Sequence, residues 1–377
     1  MAEARAARPS GARRPGLVVW AILGLVLAGA VLMSLGLGAV SIPPGRVAAI
    51  LLHGGGEPGG GDTGAARDAL VILNIRLPRT LLGLLVGAGL AVSGALMQGL
   101  FRNPLADPAL VGVSAGSGLG AATVIVLGDR LRAALGLAGP LPDAILPEAI
   151  LPEAILPEAI LPAAAFLGGL AATLALYVVA SRAGRTSVAT LLLAGIALAA
   201  LASALTGLLV YASDDRQLRD LTFWLLGSLG GATWAKVLAS ALAILPVLVL
   251  VPWLGRGLNA LVLGEAEAFH LGIAVERLKR RVILLVALAV GAGVAAAGVI
   301  GFVGLVVPHA LRLLIGPEHR RLLPACAVLG GTLLVLADVA ARLVVAPAEL
   351  PIGIVTALVG APAFLWLLLG RSSVAHD

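Results

Sequence analysis

Charge, lysine and cysteine are all scarce in this chain. Charged residues make up 12% of its 377, about half the share of soluble domains, and mean hydropathy is +1.06, which excludes an ordinary soluble globule. Only two lysines occur, Lys236 after Ala235 and Lys279 after Leu278. A transport ATPase needs a loop with Gly-Lys followed by Ser or Thr. The chain has no such loop, so it is not expected to be an enzyme, and any ATP that drives it belongs to another subunit. The one cysteine, Cys326, lies in an apolar segment and excludes an intrachain disulfide or a cysteine metal cluster; it reads as a small core residue. The five histidines, His53, His270, His309, His319 and His376, show no close metal-binding spacing, and no metal site is expected. Ionisable groups are lacking inside the apolar runs too. Asp338 and Arg342 are the exception, four apart where a helical ion pair can form. An ion-coupled carrier needs intramembrane charge, so its scarcity argues for a passive pore worked from outside the bilayer.

Hydrophobic residues, at 60%, are what the chain has instead. About 20 helical residues cross a hydrocarbon core of roughly 30 Å, and runs of suitable length predict an all-α polytopic membrane protein of ten spans: about 17–40, 80–101, 109–128, 160–181, 188–211, 237–254, 282–300, 302–315, 322–342 and 352–370. The seventh and eighth share one uncharged stretch, Val282 to Leu311, broken where Gly298, Gly301 and Gly304 fall. The first run, Leu17 to Val40, follows Arg5, Arg8, Arg13 and Arg14 and is too long for a signal h-region of about 7–15 residues. It reads as a retained span behind a basic cytoplasmic tail, 1–16. With that start, cytoplasmic segments collect sixteen of the 26 basic residues, both termini lie inside, and 371–377 is a second cytoplasmic tail. The positive-inside rule therefore explains a pI near 10.6 without a nucleic-acid partner.

A duplication is visible in the transmembrane region, 17–370. VGAGLAVSGALMQGLFRNPLADPALVG from Val86 and VGAGVAAAGVIGFVGLVVPHALRLLIG from Val290 agree without gaps at ten positions, including Pro104/Pro308 and Gly112/Gly316. Five crossings separate the two copies, so repeat halves of about 76–211 and 280–370 would be inverted in topology. Residues 41–79, with a glycine-rich run from Gly54 to Gly64, read as a flexible outer loop. A proline-containing pentad repeats over 141–165, and that proline spacing predicts an outer loop over 129–161. Gly112-Val-Ser114-Ala-Gly116 matches a hydrolase nucleophile elbow, but opening a span it reads better as small residues for helix packing. The cytoplasmic connection 255–281 includes LGEAEAFHLGIAVERLKRR, which suits either short helices below the membrane or a solvated positive-inside loop.

In combination, the residues resemble the FecCD-like permease subunits of type II ATP-binding-cassette importers. The resemblance rests on Arg76-Leu-Pro-Arg79, SGALMQGLFRNPLADPALVGVSAG from Ser93, LLLAGIAL from Leu191, FWLLGSLGGATW from Phe223, LGEAEAFHLGI from Leu263, GFVGLVVPHALRLL from Gly301 and AELPIGIVTALVGAPAFLWLL from Ala348. It implies a ten-helix permease in the bacterial inner membrane, surrounded by lipid and paired with a second copy of itself. Two ATP-binding subunits would carry ATP and Mg, a periplasmic binding protein would deliver the cargo, and this chain would bind no cofactor. By the same resemblance Arg76, Arg79 and Arg342 would receive the binding protein. Gly264, Glu265, Glu267, Ala268, Leu271 and Gly272 would couple to the ATPase, and Asn103, Pro104, Thr186 and Ser187 would lie near the cytoplasmic gate. TFWLLGSLGGATW and RTSVATLLLAGIALAALASALTGLL look closest to haem permeases, so haem is the expected cargo ahead of an iron-siderophore or cobalamin. An ion-coupled secondary transporter is the remote alternative.

Overall fold

A hydrocarbon core offers backbone groups no water, so a chain this apolar satisfies its own N–H and C=O groups in helices. A computed structural model describes residues 15–38, 40–53, 63–134, 155–182 and 185–372. They form α1 (Pro15–Gly36), α2 (Pro44–His53), α3 (Thr63–Leu70), α4 (Leu77–Leu100), α5 (Val113–Ala134), α6 (Ile155–Ala180), α7 (Val188–Tyr211), α8 (Asp215–Leu226), α9 (Trp234–Leu250), α10 (Gly255–Leu263), α11 (Glu265–His270), α12 (Val275–Ala297), α13 (Val303–Ile315), α14 (His319–Leu343) and α15 (Ile352–Ser372). The described strands are two antiparallel pairs of residues, β1 (Ser181–Arg182) and β2 (Arg185–Thr186). Among the described residues, seven helices are long and apolar enough to cross a membrane, and Val113–Gly128, Val303–Ile315 and Ile352–Trp366 are shorter apolar ones. Together they occupy the ten expected spans.

The bundle is built around α4, in which 20 of 24 residues are buried. It packs on α14, α12, α13 and α9, and small residues set how closely. Gly87 lies against the Gly330 backbone and Gly94 against that of Gly304, so a side chain at either would overlap backbone. Gly116 and Gly168 bring α5 and α6 together in the same way. Dispersion and close backbone approach, rather than apolar burial from water, drive such crossings in a membrane. Gly116 therefore has the packing role expected of it. The element before Gly112 is a single 3₁₀ turn, Pro108–Val111, and not the strand an elbow needs.

The uncharged stretch breaks at Gly298–Phe302, while Gly304, expected at the break, lies within α13. Gly298 has φ +72° and faces Gly227 at +71°. Ser228 N–H donates to Ala297 O at 2.8 Å and Ile352 N–H to Gly227 O at 3.0 Å. The ends of α8 and α12 and the start of α15 thus satisfy one another, which is how irregular backbone survives at membrane depth.

Several expectations for loops and repeats need correction. Residues 41–79 include α2 and α3, and α3 runs through a wide π-type turn at Val71–Arg76 into α4. Val47, Ile50, Ala69 and Ile72 form a small core with Leu35 and Ile42, closed by an Arg46–Asp68 ion pair of 2.9 Å. Positions 54–62 lie outside the described residues. In the pentad region, α5 extends to Ala134 and the last two pentads belong to α6. Pro157 falls in the first turn, whose N–H groups have no helical partner anyway, and Pro162 removes one ladder bond. The rest of the repeat, 141–154, is outside the described residues, as are 135–140.

The duplicated segment does not keep one local structure. Ala95-Leu-Met-Gln carries the first copy helically to Leu100, whereas Val299, Ile300 and Gly301 stop the second at Ala297. β-branched residues and glycine propagate a helix less well than alanine, leucine, methionine or glutamine. Pro104 lies in an irregular turn and Pro308 inside α13, while Gly112 and Gly316 both end a helical turn with positive φ.

Candidate functional site

Three arginines meet where α1 ends and α4 begins, at the end of the bundle expected to face outward. The last carbonyls of a helix have no intrahelical donors, and at α1 arginines supply them. Arg76 donates to Leu35 O at 2.6 Å, to Gly36 O at 2.9 Å and to Val40 O. Arg342 donates to Leu37 O at 3.1 Å and to Ser34 Oγ at 3.1 Å. Arg79 grips Asp338 through Nε at 3.0 Å and Nη2 at 2.9 Å. The other side of Asp338 pairs with Arg342 at 3.1 Å, which is the i, i+4 pair read from the sequence. Glu349, after α14, closes the group with 3.0 Å contacts to both terminal nitrogens of Arg79. Three guanidiniums against two carboxylates leave one net positive charge.

These are the arginines that the resemblance assigns to docking of a binding protein, yet little of them is open to solvent. All three are under a tenth exposed, because each guanidinium is used inside the chain. The group that reaches the surface is Glu349, its side chain 45% exposed.

At the opposite end, Gly264 turns α10 into α11 with φ +131°, a conformation closed to other residues without strain. Ala268 is buried, while Glu267 and Leu271 are exposed. A Schellman closure ends the helix: Ile273 N–H donates to Ala268 O at 3.0 Å and Gly272 N–H, at φ +82°, to Phe269 O at 2.9 Å. Phe269 is 70% exposed and Leu263 and Leu271 are also open. The segment is therefore two short helices presenting apolar side chains, and not a featureless solvated loop.

Beside it, Thr186 is buried in β2, its hydroxyl 2.9 Å from Ser181 Oγ, and Ser187 caps α7 through the Thr190 N–H at 3.2 Å. Lys279 reaches both groups. Its Nζ lies 2.7 Å from Thr186 O, 2.7 Å from Glu265 Oε2 and 3.0 Å from Glu276 Oε1. In the sequence Lys279 counts among the cytoplasmic basic residues and against a nucleotide loop. A lone lysine three residues after a glutamate, beside an apolar run, was the available signal. Asn103 and Pro104 stand apart, in the turn after α4, where Asn103 Oδ1 accepts the Leu105 N–H at 2.9 Å. Among the described residues, no hydrogen bond joins them to Thr186 or Ser187.

A model of the FecCD transport family matches residues 25–370. This chain belongs to that family. The FecCD chain is thus the permease subunit of an ATP-binding-cassette importer, a multi-pass membrane protein whose ATPase and substrate-binding components are separate. It is 48% identical over 307 residues to the hemin transport system permease protein HmuU of Yersinia pestis, covering 81% of this chain and 85% of that one. It is 44% identical over 309 residues to the vitamin B12 import system permease protein BtuC of Escherichia coli, covering 82% and 86%. A solved metal-chelate type ABC transporter in an inward-facing conformation aligns with TM-score 0.76 and 34% identity, over 94% of this chain and 99% of that one.

Proposed function

We propose that this chain is the permease of a haem importer in the bacterial inner membrane. The observation that carries the cargo is the identity to the hemin permease, 48% over 307 residues. Cobalamin is the second reading, supported by 44% identity to the B12 permease over 309 residues. Two copies would form the pathway. α1 and α7 are apolar all round and largely uncovered within one chain, which suits lipid and a second copy as neighbours. The open apolar side chains of α10 and α11 suit an ATP-binding subunit, which would carry ATP and Mg, and this end with both termini would face the cytoplasm. Thr186 and Ser187, with the Asn103-Pro104 turn, would border the gate.

The net positive charge around Arg76, Arg79 and Arg342 suits docking of a binding protein. An incoming carboxylate would reach Arg79 in place of Glu349. The test is to purify the cognate binding protein with its native cargo and record its spectrum, then measure uptake into vesicles holding the full transporter. A Soret band and haem uptake are expected. A corrinoid spectrum with cobalamin uptake, or a siderophore with no haem uptake, would overturn the assignment.

A further inference from the structure

Lys279 is 1% exposed, and an ammonium is costly to bury unless its donors are all satisfied. Here three donors meet three acceptors on three different segments: Thr186 O in β2, Glu265 in α11 and Glu276 in the first turn of α12. Glu276 also accepts the Thr186 N–H at 2.9 Å. Both backbone groups of Thr186 are thereby held, one residue before the cap of α7. Among the described residues, Lys279 is the side chain that hydrogen-bonds to both α11 and β2. Charge-assisted bonds are about twice as strong as neutral ones. The network also has a direction: Glu265 is 41% exposed on the α11 side, whereas Thr186 is buried.

We propose that Lys279 is a tie that makes α11 and β2 move as one body, so that displacement of α11 is delivered to the start of α7. Lys279 is a positioning residue in this scheme and touches neither cargo nor nucleotide. The inference rests on the reading that α11 meets the ATP-binding subunit.

The experiment uses the assembled transporter in nanodiscs, with spin labels at Arg185→Cys and Ala266→Cys, both exposed positions; the native Cys326 is buried. The label separation in wild type should be the same with and without ATP. In Lys279→Met and Glu265→Gln it should broaden or lengthen on ATP binding, and cargo moved per ATP hydrolysed should fall about tenfold, within the range by which network residues modulate coupling. Lys279→Arg should restore both. A Leu271→Cys cross-link to the ATP-binding subunit checks the underlying reading separately, and its absence would remove that reading. If the cross-link forms but both variants keep the wild-type transport ratio and ATP-invariant separation, the tie is refuted. Glu265→Gln changes only a half-exposed partner, so it decides the matter if Lys279→Met fails to insert.

Discussion

Replacing Asp338 by Asn should be among the most damaging single changes at the arginine end. The buried Asp338 carboxylate is shared by Arg79 and Arg342 at 2.9 and 3.1 Å, and its loss raises the net charge of the group from one to two. A charge pair at about 4 Å is worth roughly 4 kcal/mol at an effective dielectric constant of 20. Removing one partner of a buried pair typically costs about 3–5 kcal/mol, because the other charge stays buried. Two guanidiniums lose their counterion here, and only Arg79 retains a carboxylate, Glu349. We therefore expect Asp338→Asn to destabilise the purified permease by about 3–5 kcal/mol, measured by reversible denaturant unfolding in bicelles. Glu349→Gln is the internal control: its partly exposed pair should be worth about 1 kcal/mol or less. An apolar pair, Asp338→Leu with Arg79→Met, should recover much of the loss, since it removes charges of both signs together. A cost below about 1 kcal/mol for Asp338→Asn, or a double variant worse than both singles combined, would refute the argument.

Three further outcomes follow from the packing and the composition. Gly94→Val places a branched side chain against the Gly304 backbone and should cost about 1–3 kcal/mol or more through overpacking, whereas Gly24→Val in α1, with open space around it, should leave unfolding unchanged. Ala268→Pro removes the 3.0 Å bond to Gly264 O and should break α11 at about 3 kcal/mol locally; vesicle uptake should be lost with insertion retained, and normal uptake would detach α11 from coupling. The chain alone, lacking any Gly-Lys pair, should show no ATP hydrolysis in a phosphate-release assay, with activity appearing only beside its ATP-binding subunit.

Hydropathy made the ten apolar helices legible because length and composition suffice to define a crossing. It misread 41–79 because turn signals near Gly54 masked the period-3.6 pattern in Val47 and Ile50, whose apolar faces close on Leu35 rather than on lipid. The pentads misled for a different reason: proline is a strong breaker only in a helix interior, and Pro157 escapes that rule by position. At the arginine end the motif picked out residues that the fold brings together. Their state was not readable, because what buries Arg76 and Arg79 is the end of α1 and the Asp338 carboxylate, 41 and 259 residues away in the chain. Lys279 was hidden by the same long reach, since its acceptor Thr186 lies 93 positions earlier.

The two ends use similar chemistry at different exposure, and exposure decides what each can do. At the arginine end, Asp338 and its two guanidiniums are buried, so neither water nor salt can substitute for a partner, and parting them would strand charges at low dielectric. That arrangement holds α1, α4 and α14 in one fixed relation. At the other end, Glu265 and Glu276 are 41% and 32% exposed where they meet Lys279. Water and salt can reach either carboxylate, although the Lys279 ammonium they hold is 1% exposed. Screening acts on exposed charges and much less on buried ones. Raising ionic strength should therefore loosen the link from α11 to β2 while leaving the arginine group intact, and the label separation at 185 and 266 should broaden with salt while the unfolding cost of Asp338→Asn stays constant. Equal salt sensitivity at both ends would show that burial does not distinguish them.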